Sequence, residues 1–138
     1  MSCAEDFTRL ILWQRSQDLA AEIAAIVASL PRNRAADIIG TQVMRSAGSV
    51  PANIAEGYGR FSQAAYRNHL SIARGSLFET QSWIDLLHRT GLIEITQKAT
   101  LIEACQEVGK LLTVRMKALS NGNQSYAREE GEGYRVDD

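Results

Sequence analysis

The stretch QAAYRNHLSIARGSLFETQSWIDLLHRT, residues 63–90, decides how this chain folds. Within it Tyr66, Leu70, Ala73, Leu77, Thr80, Ile84 and Leu87 recur at alternating spacings of four and three. A seven-residue repeat keeps one stripe of side chains on the same side of an α-helix, as in helices packed nearly parallel. A second stripe, Ile72, Glu79, Trp83 and Leu86, leaves this helix with apolar surface on more than one side. Ser62 precedes the stretch as an N-cap, and Gly91 ends it.

Upstream, a second helix is expected over residues 33–56. Its middle reads Ser46-Ala47-Gly48-Ser49-Val50-Pro51. Pro51 has no N–H for the carbonyl of Ala47 and its ring crowds that carbonyl, so a kink is expected there. The small residues around it allow another helix to come close. Gly57 supplies the C-terminal stop, with Gly57-Tyr58-Gly59 as a turn. The first helix, residues 8–30, carries Leu12, Ser16, Leu19, Ile23, Ile26 and Leu30 on one face and is closed by Pro31. The fourth, residues 96–120, opens on Thr96 as its cap. Its stripe is Ala99, Ile102, Cys105, Val108, Leu112, Met116 and Leu119. Four amphipathic helices with short connections predict an all-α fold, an antiparallel up-down four-helix bundle filling residues 1–120 as one domain. Residues 121–138 lack apolar periodicity and read as a disordered acidic tail.

A chain of 138 residues suits one domain, and only two prolines and ten glycines interrupt it, which favours long helices. No apolar run approaches the ~20 residues needed to span a bilayer. The start, MSCAEDFTRL, lacks the apolar core of a secretion signal. Cys3 and Cys105 have no metal-ligand spacing and read as free thiols in a reducing compartment. A cytoplasmic protein without a membrane segment is expected. The net charge of −1 gives no global attraction to nucleic acid. It is unevenly spread, however: residues 121–138 balance at −3, leaving +2 on residues 1–120.

Three blocks carry a resemblance to a known family. They are Trp13-Gln14-Arg15, the run from Ser49-Val50-Pro51-Ala52-Asn53-Ile54-Ala55-Glu56-Gly57-Tyr58-Gly59-Arg60, and Leu70-Ser71-Ile72-Ala73-Arg74-Gly75-Ser76-Leu77-Phe78-Glu79-Thr80. Together they resemble the bacterial four-helix bundle proteins called 23S rRNA intervening-sequence proteins. That family also includes the accessory variability determinant of diversity-generating retroelements. The resemblance covers residues 7–119 and implies a bundle assembling into a barrel-like homopentamer. For the retroelement branch it further implies binding to nucleic acid and to a reverse transcriptase through a basic surface.

Candidate site residues fall into two sets. Pro51, Asn53, Glu56 and Gly57 form a structural signature. Asn53 and Glu56, three apart, share a helix face and either build a polar site with Arg45 and Arg60 or satisfy the backbone groups freed by Pro51. Arg45, Arg60, Arg67 and Arg74, with Arg32 and Arg34, are candidates for phosphate contact, since a guanidinium can donate two parallel hydrogen bonds to phosphate oxygens. Alternatively, they are ordinary solvated or intersubunit charges. Tyr58 and Phe61 flank the turn as candidates for contact with a partner. Trp13, Trp83 and Phe78 read as core or subunit-interface anchors rather than base-stacking platforms.

Asp85-x-x-His88 has the spacing of a di-iron bundle ligand pair, but the second pair is missing, because Tyr66 stands three residues before His69. Gly57-x-Gly59 follows no strand and is not a dinucleotide loop. No nucleophile and base are paired in sequence, so neither catalysis nor a cofactor or metal is expected. Two functions remain. One is a homo-oligomeric accessory whose arginine face holds RNA, DNA or a reverse-transcriptase-like enzyme. The other is a protein-interaction scaffold that ignores nucleic acid. The tail, by its charge, is expected to compete with anions for the arginine face.

Overall fold

The computed structural model describes residues 6–120; Cys3 and the expected acidic tail lie outside them. A short 3-10 turn, Phe7–Arg9, leads into four helices: α1 (Ile11–Ala28), α2 (Arg34–Tyr58), α3 (Gln63–Arg89) and α4 (Ile95–Ser120). Among the described residues there is no strand, and no helix is long and apolar enough to cross a membrane. The helices form a ring in which α2 packs on α1 and α3, and α4 packs on α3 and α1. Arg15 on α1 donates to Glu107 on α4 at 3.2 Å, closing the ring at its surface.

The heptad in α3 is the core stripe. Its buried residues are Tyr66, Leu70, Ala73, Leu77, Thr80, Ile84 and Leu87, all seven positions named from the spacing. Leu70, Leu77 and Ile84 are wholly inaccessible, and full burial of each such side chain stabilises by roughly 1.5–3 kcal/mol. On α4 the spacing misplaced the stripe at both ends. Leu101 and Ala118 are buried, whereas Ala99 is exposed and Ile102 and Met116 are half-buried. Apolar residues stand on both sides of the true stripe there, so periodicity alone cannot choose between them.

Local chemistry sets the helix ends. Asp6 accepts from the Thr8 amide at 3.0 Å and caps the short turn, and Leu10 is extended, so α1 starts at Ile11 rather than residue 8. Asn33 and Ser62 cap α2 and α3 by accepting from Ala36 and Ala65. The α3 end is a Schellman turn. Gly91 takes φ +78, its amide donates to His88 O, and the Leu92 amide donates to Leu87 O at 2.9 Å. At α4 the cap is not Thr96, which lies inside the first turn. Glu94 precedes the helix, and its amide donates to Gln97 Oε1 at 2.9 Å, half of a capping box.

Gly57 is neither a stop nor part of a turn. α2 runs through it to Tyr58, and Gly57 is buried. Its role is spatial: a Cβ placed there would lie 2.7 Å from His69 Cβ and 3.0 Å from Tyr66 Cδ1 on α3. Pro51 is also buried inside the continuous helix. Gly57→Ala must therefore push α2 and α3 apart, and an overpacked contact of this kind costs about 1–3 kcal/mol. Gly75→Ala meets nothing within 4 Å and should stabilise by up to about 1 kcal/mol through helix propensity. Urea denaturation of the two variants tests this opposition of sign.

Candidate functional site

Beside the contact at Gly57, α2 and α3 share a continuous polar seam. Ser46 and Thr80, both buried, join their hydroxyls at 2.8 Å. Ser76 donates to Ser49 Oγ at 2.9 Å, and the Asn53 amide donates to Ser49 O and Oγ at 2.9 and 3.0 Å. Asn53 Oδ1 then meets His69 Nδ1 at 3.1 Å, and Arg60 Nε donates to His69 Nε2 at 3.2 Å. Finally, Arg60 pairs with Glu56 at 2.8 Å. As α2 partners ascend through 46, 49 and 53, their α3 partners descend through 80, 76 and 69, so the two helices run in opposite directions here. The proton positions follow from the network. Arginine only donates, so His69 Nε2 carries the lone pair and Nδ1–H donates to Asn53.

This assigns work to most of the Pro51–Arg60 block. Asn53 bonds the Ser49 carbonyl and His69, Glu56 holds Arg60, and Gly57 admits the α3 backbone. Tyr58, a candidate for exposed contact, is half-buried with its ring edge-on to Tyr66 at 6.0 Å. Phe61, beside it on the turn, is fully exposed. Arg45 reaches Gln42 at 2.9 Å and Glu79 at 3.5 Å, and Trp83 Nε1 donates to the same Glu79 carboxylate. Arg45 and Arg60 are thus occupied by neighbours on their own chain.

Arg67 and Arg74 lie elsewhere. They stand two residues before His69 and Ser76, roughly 200° around the helix from them, on the flank of α3 that faces α4. Two adjoining clefts of about 510 and 760 Å³ run along that flank and share Arg74 and Thr113. Lys117 borders the first and Lys110 the second. Among the described residues, no acidic side chain lines either cleft, and none of these four cations has an ion-pair partner. Lys110 and Lys117 escaped the sequence reading, although their seven-residue spacing matches that of Arg67 and Arg74. The proposed arginine face therefore divides: Arg67 and Arg74 join the cleft, Arg60 joins the seam, and Arg45 pairs with Glu79. Arg32 borders a separate α1–α2 cleft, and Arg34 opens α2.

The other chemistry-bearing groups are accounted for locally. Asp85 binds Lys98 at 2.8 Å and Arg89 at 2.7 Å, tying the end of α3 to the start of α4. Hydrogen bonds from Lys98, then Arg89, hold its carboxyl below the usual aspartate range. Cys105 touches the second cleft, but burial, with some help from Glu22, pushes its thiol up to about 12, so it stays protonated and unreactive.

Two expectations follow. A double-mutant cycle of Asn53→Ala and His69→Ala should give a coupling of about 0.5–1.5 kcal/mol in urea melts, because the two side chains share one network. The lowered Asp85 pKa means its stabilising contribution is present at neutral pH and lost as pH falls below the unfolded aspartate value of ~3.9. The stability advantage of the wild type over Asp85→Asn should therefore be constant from neutral pH down to ~5 and shrink progressively as the pH falls below ~3.9, as read by thermal melts across that range.

Residues 8–114 match the family described as 23S rRNA-intervening sequence protein. No curated protein sequence matches the chain. Among solved structures, the crystal structure of a protein with unknown function from the S23 ribosomal protein family of Bacteroides thetaiotaomicron superposes with a TM-score of 0.70. It is 30% identical and covers 74% of this chain and 94% of its own. With the four-helix fold, the Pro51–Arg60 block and a match over most of its length, the chain belongs to the 23S rRNA-intervening sequence protein family.

Proposed function

We propose that this chain is a non-enzymatic accessory protein that acts as a cytoplasmic homo-oligomer, pentameric as the family resemblance implies, and holds nucleic acid along its α3–α4 clefts. In the retroelement-like case it presents that nucleic acid to a reverse-transcriptase-like enzyme. One observation carries the reading: Arg67, Arg74, Lys110 and Lys117 gather along one pair of clefts that no described acidic side chain lines. Such a strip attracts phosphate even on a chain whose net charge is −1, because the charges near the ligand dominate its field. Oligomerisation would repeat the strip and add avidity. Ile11, Ile38, Ile72 and Ile95 are about half exposed on the isolated chain, surface that association can cover.

Fluorescence anisotropy with labelled RNA and DNA across a salt series tests the function. If all four cations meet phosphates of duplex DNA, the logarithm of affinity should fall against the logarithm of salt with a slope of about −3.6 per site. Replacing Arg67, Arg74, Lys110 and Lys117 together by Gln should weaken binding by a hundredfold or more at low salt, by the same counterion argument. Arg45→Gln should leave it within about twofold, as expected for an exposed arginine already paired with Glu79. Native mass spectrometry should give about five times the 15.2 kDa chain. Flat anisotropy at low salt would leave the protein-interaction scaffold as the function, and a monomeric mass would remove the oligomer.

A further inference from the structure

We infer that the α3–α4 cleft selects single-stranded over duplex nucleic acid, with one base stacked on the Phe78–Arg74 pair and the neighbouring phosphates on Arg67, Lys110 and Lys117. This rests on the nucleic-acid reading of the cleft and adds to it the form of the ligand. Phe78 borders the second cleft, and despite its size it leaves 54% of its surface in solvent. Arg74 lies one turn earlier, with its guanidinium carbon 5.3 Å from the Phe78 ring centre. The ring holds that cation at the point where the two clefts join, so a flat aromatic surface and a flat guanidinium sit together within the cationic strip.

A duplex has no use for this arrangement, because its base faces are stacked inside and only its phosphates and groove edges reach a protein surface. A single strand exposes base faces. Stacking on aromatic and arginine surfaces, with cations along the backbone, is how sequence-tolerant single-strand sites are built. The dimensions suit one strand. Arg67 and Arg74 are seven residues apart, as are Lys110 and Lys117, so each pair spans about 10.5 Å along its helix. The two rows stand on packed helices, and the axes of helices in contact generally lie about 8–10 Å apart. Gln81, Gln106 and Thr113 add uncharged hydrogen-bonding groups beside the ring. An acidic peptide would satisfy the cations but leave the aromatic face without a matching partner.

The test uses a short RNA strand carrying 2-aminopurine, the same strand annealed to its complement, and polyglutamate as competitor, all with the full chain. The wild type should bind the single strand more tightly than the duplex and change the 2-aminopurine fluorescence, as expected when the base stacks. Phe78→Leu keeps an apolar side chain and removes the aromatic face. It should weaken single-strand binding about tenfold, abolish the fluorescence change and leave duplex binding unaltered, whereas Phe78→Trp should retain all three properties. Equal affinity for both forms, an equal loss on both in Phe78→Leu, or displacement by polyglutamate as effective as by RNA would overturn the inference while nucleic-acid binding stood. Absence of binding to either form would overturn the functional reading and this inference together.

Discussion

The structure depends on the close approach of α2 and α3 at Gly57. The absent side chain there leaves room for His69 Cβ and the Tyr66 ring, which would otherwise lie 2.7 and 3.0 Å from a Cβ. Hydrogen bonds weaken steeply with distance. Without this approach, Asn53 would not reach His69, nor Ser49 reach Ser76, and the hydroxyls of Ser46 and Thr80 would be buried without each other. Ser46 and Thr80 would then keep only carbonyls of their own helices, Val43 O at 3.2 Å and Ser76 O at 2.8 Å, and each lost cross-helix bond would cost about 0.5–1.5 kcal/mol. The glycine and the polar seam are therefore one device, in which steric permission at one end allows polar satisfaction along its length.

That device also divides the charges. The arginines on the seam side are already held: Arg60, just beyond α2, by Glu56 and His69, and Arg45 on α2 by Glu79. On the opposite flank of α3 no described residue supplies such a partner, and there Arg67 and Arg74 face Lys110 and Lys117 across a cleft. The two arginine pairs, alike in sequence, thus come to differ in availability. An arginine already held by a carboxylate must lose that partner to bind phosphate, whereas an unpaired one loses only water. The Cys105 thiol beside the cleft is buried and held protonated.

The bundle was legible from the chain because helix periodicity and helix caps are local properties. The α3 stripe, the Ser62 cap and the Gly91 stop were each written in a few neighbouring residues, and each is present in the fold. Reading failed where sequence offers degenerate answers. Glycine can end a helix or let one pass close by, and only the position of α3 shows that Gly57 does the second. At α4 an apolar residue stands on each side of the true stripe, so Leu101 was passed over for Ile102. At its start the capping choice between Thr96 and Glu94 turned on a Gln97 side chain three residues on.

The sequence by itself determined that this is a four-helix protein of the intervening-sequence family, since amphipathic periodicity and the Pro51–Arg60 block are properties of the chain. Tertiary structure alone decided which cations are available. Arg45, Arg67 and Arg74 are the same residue type at helical positions, and their difference lies in what the neighbouring helix puts within about 4 Å, the reach of an ion pair. That distance depends on how helices pack, and residues 67 and 117, fifty positions apart along the chain, share a cleft only because α4 returns along α3.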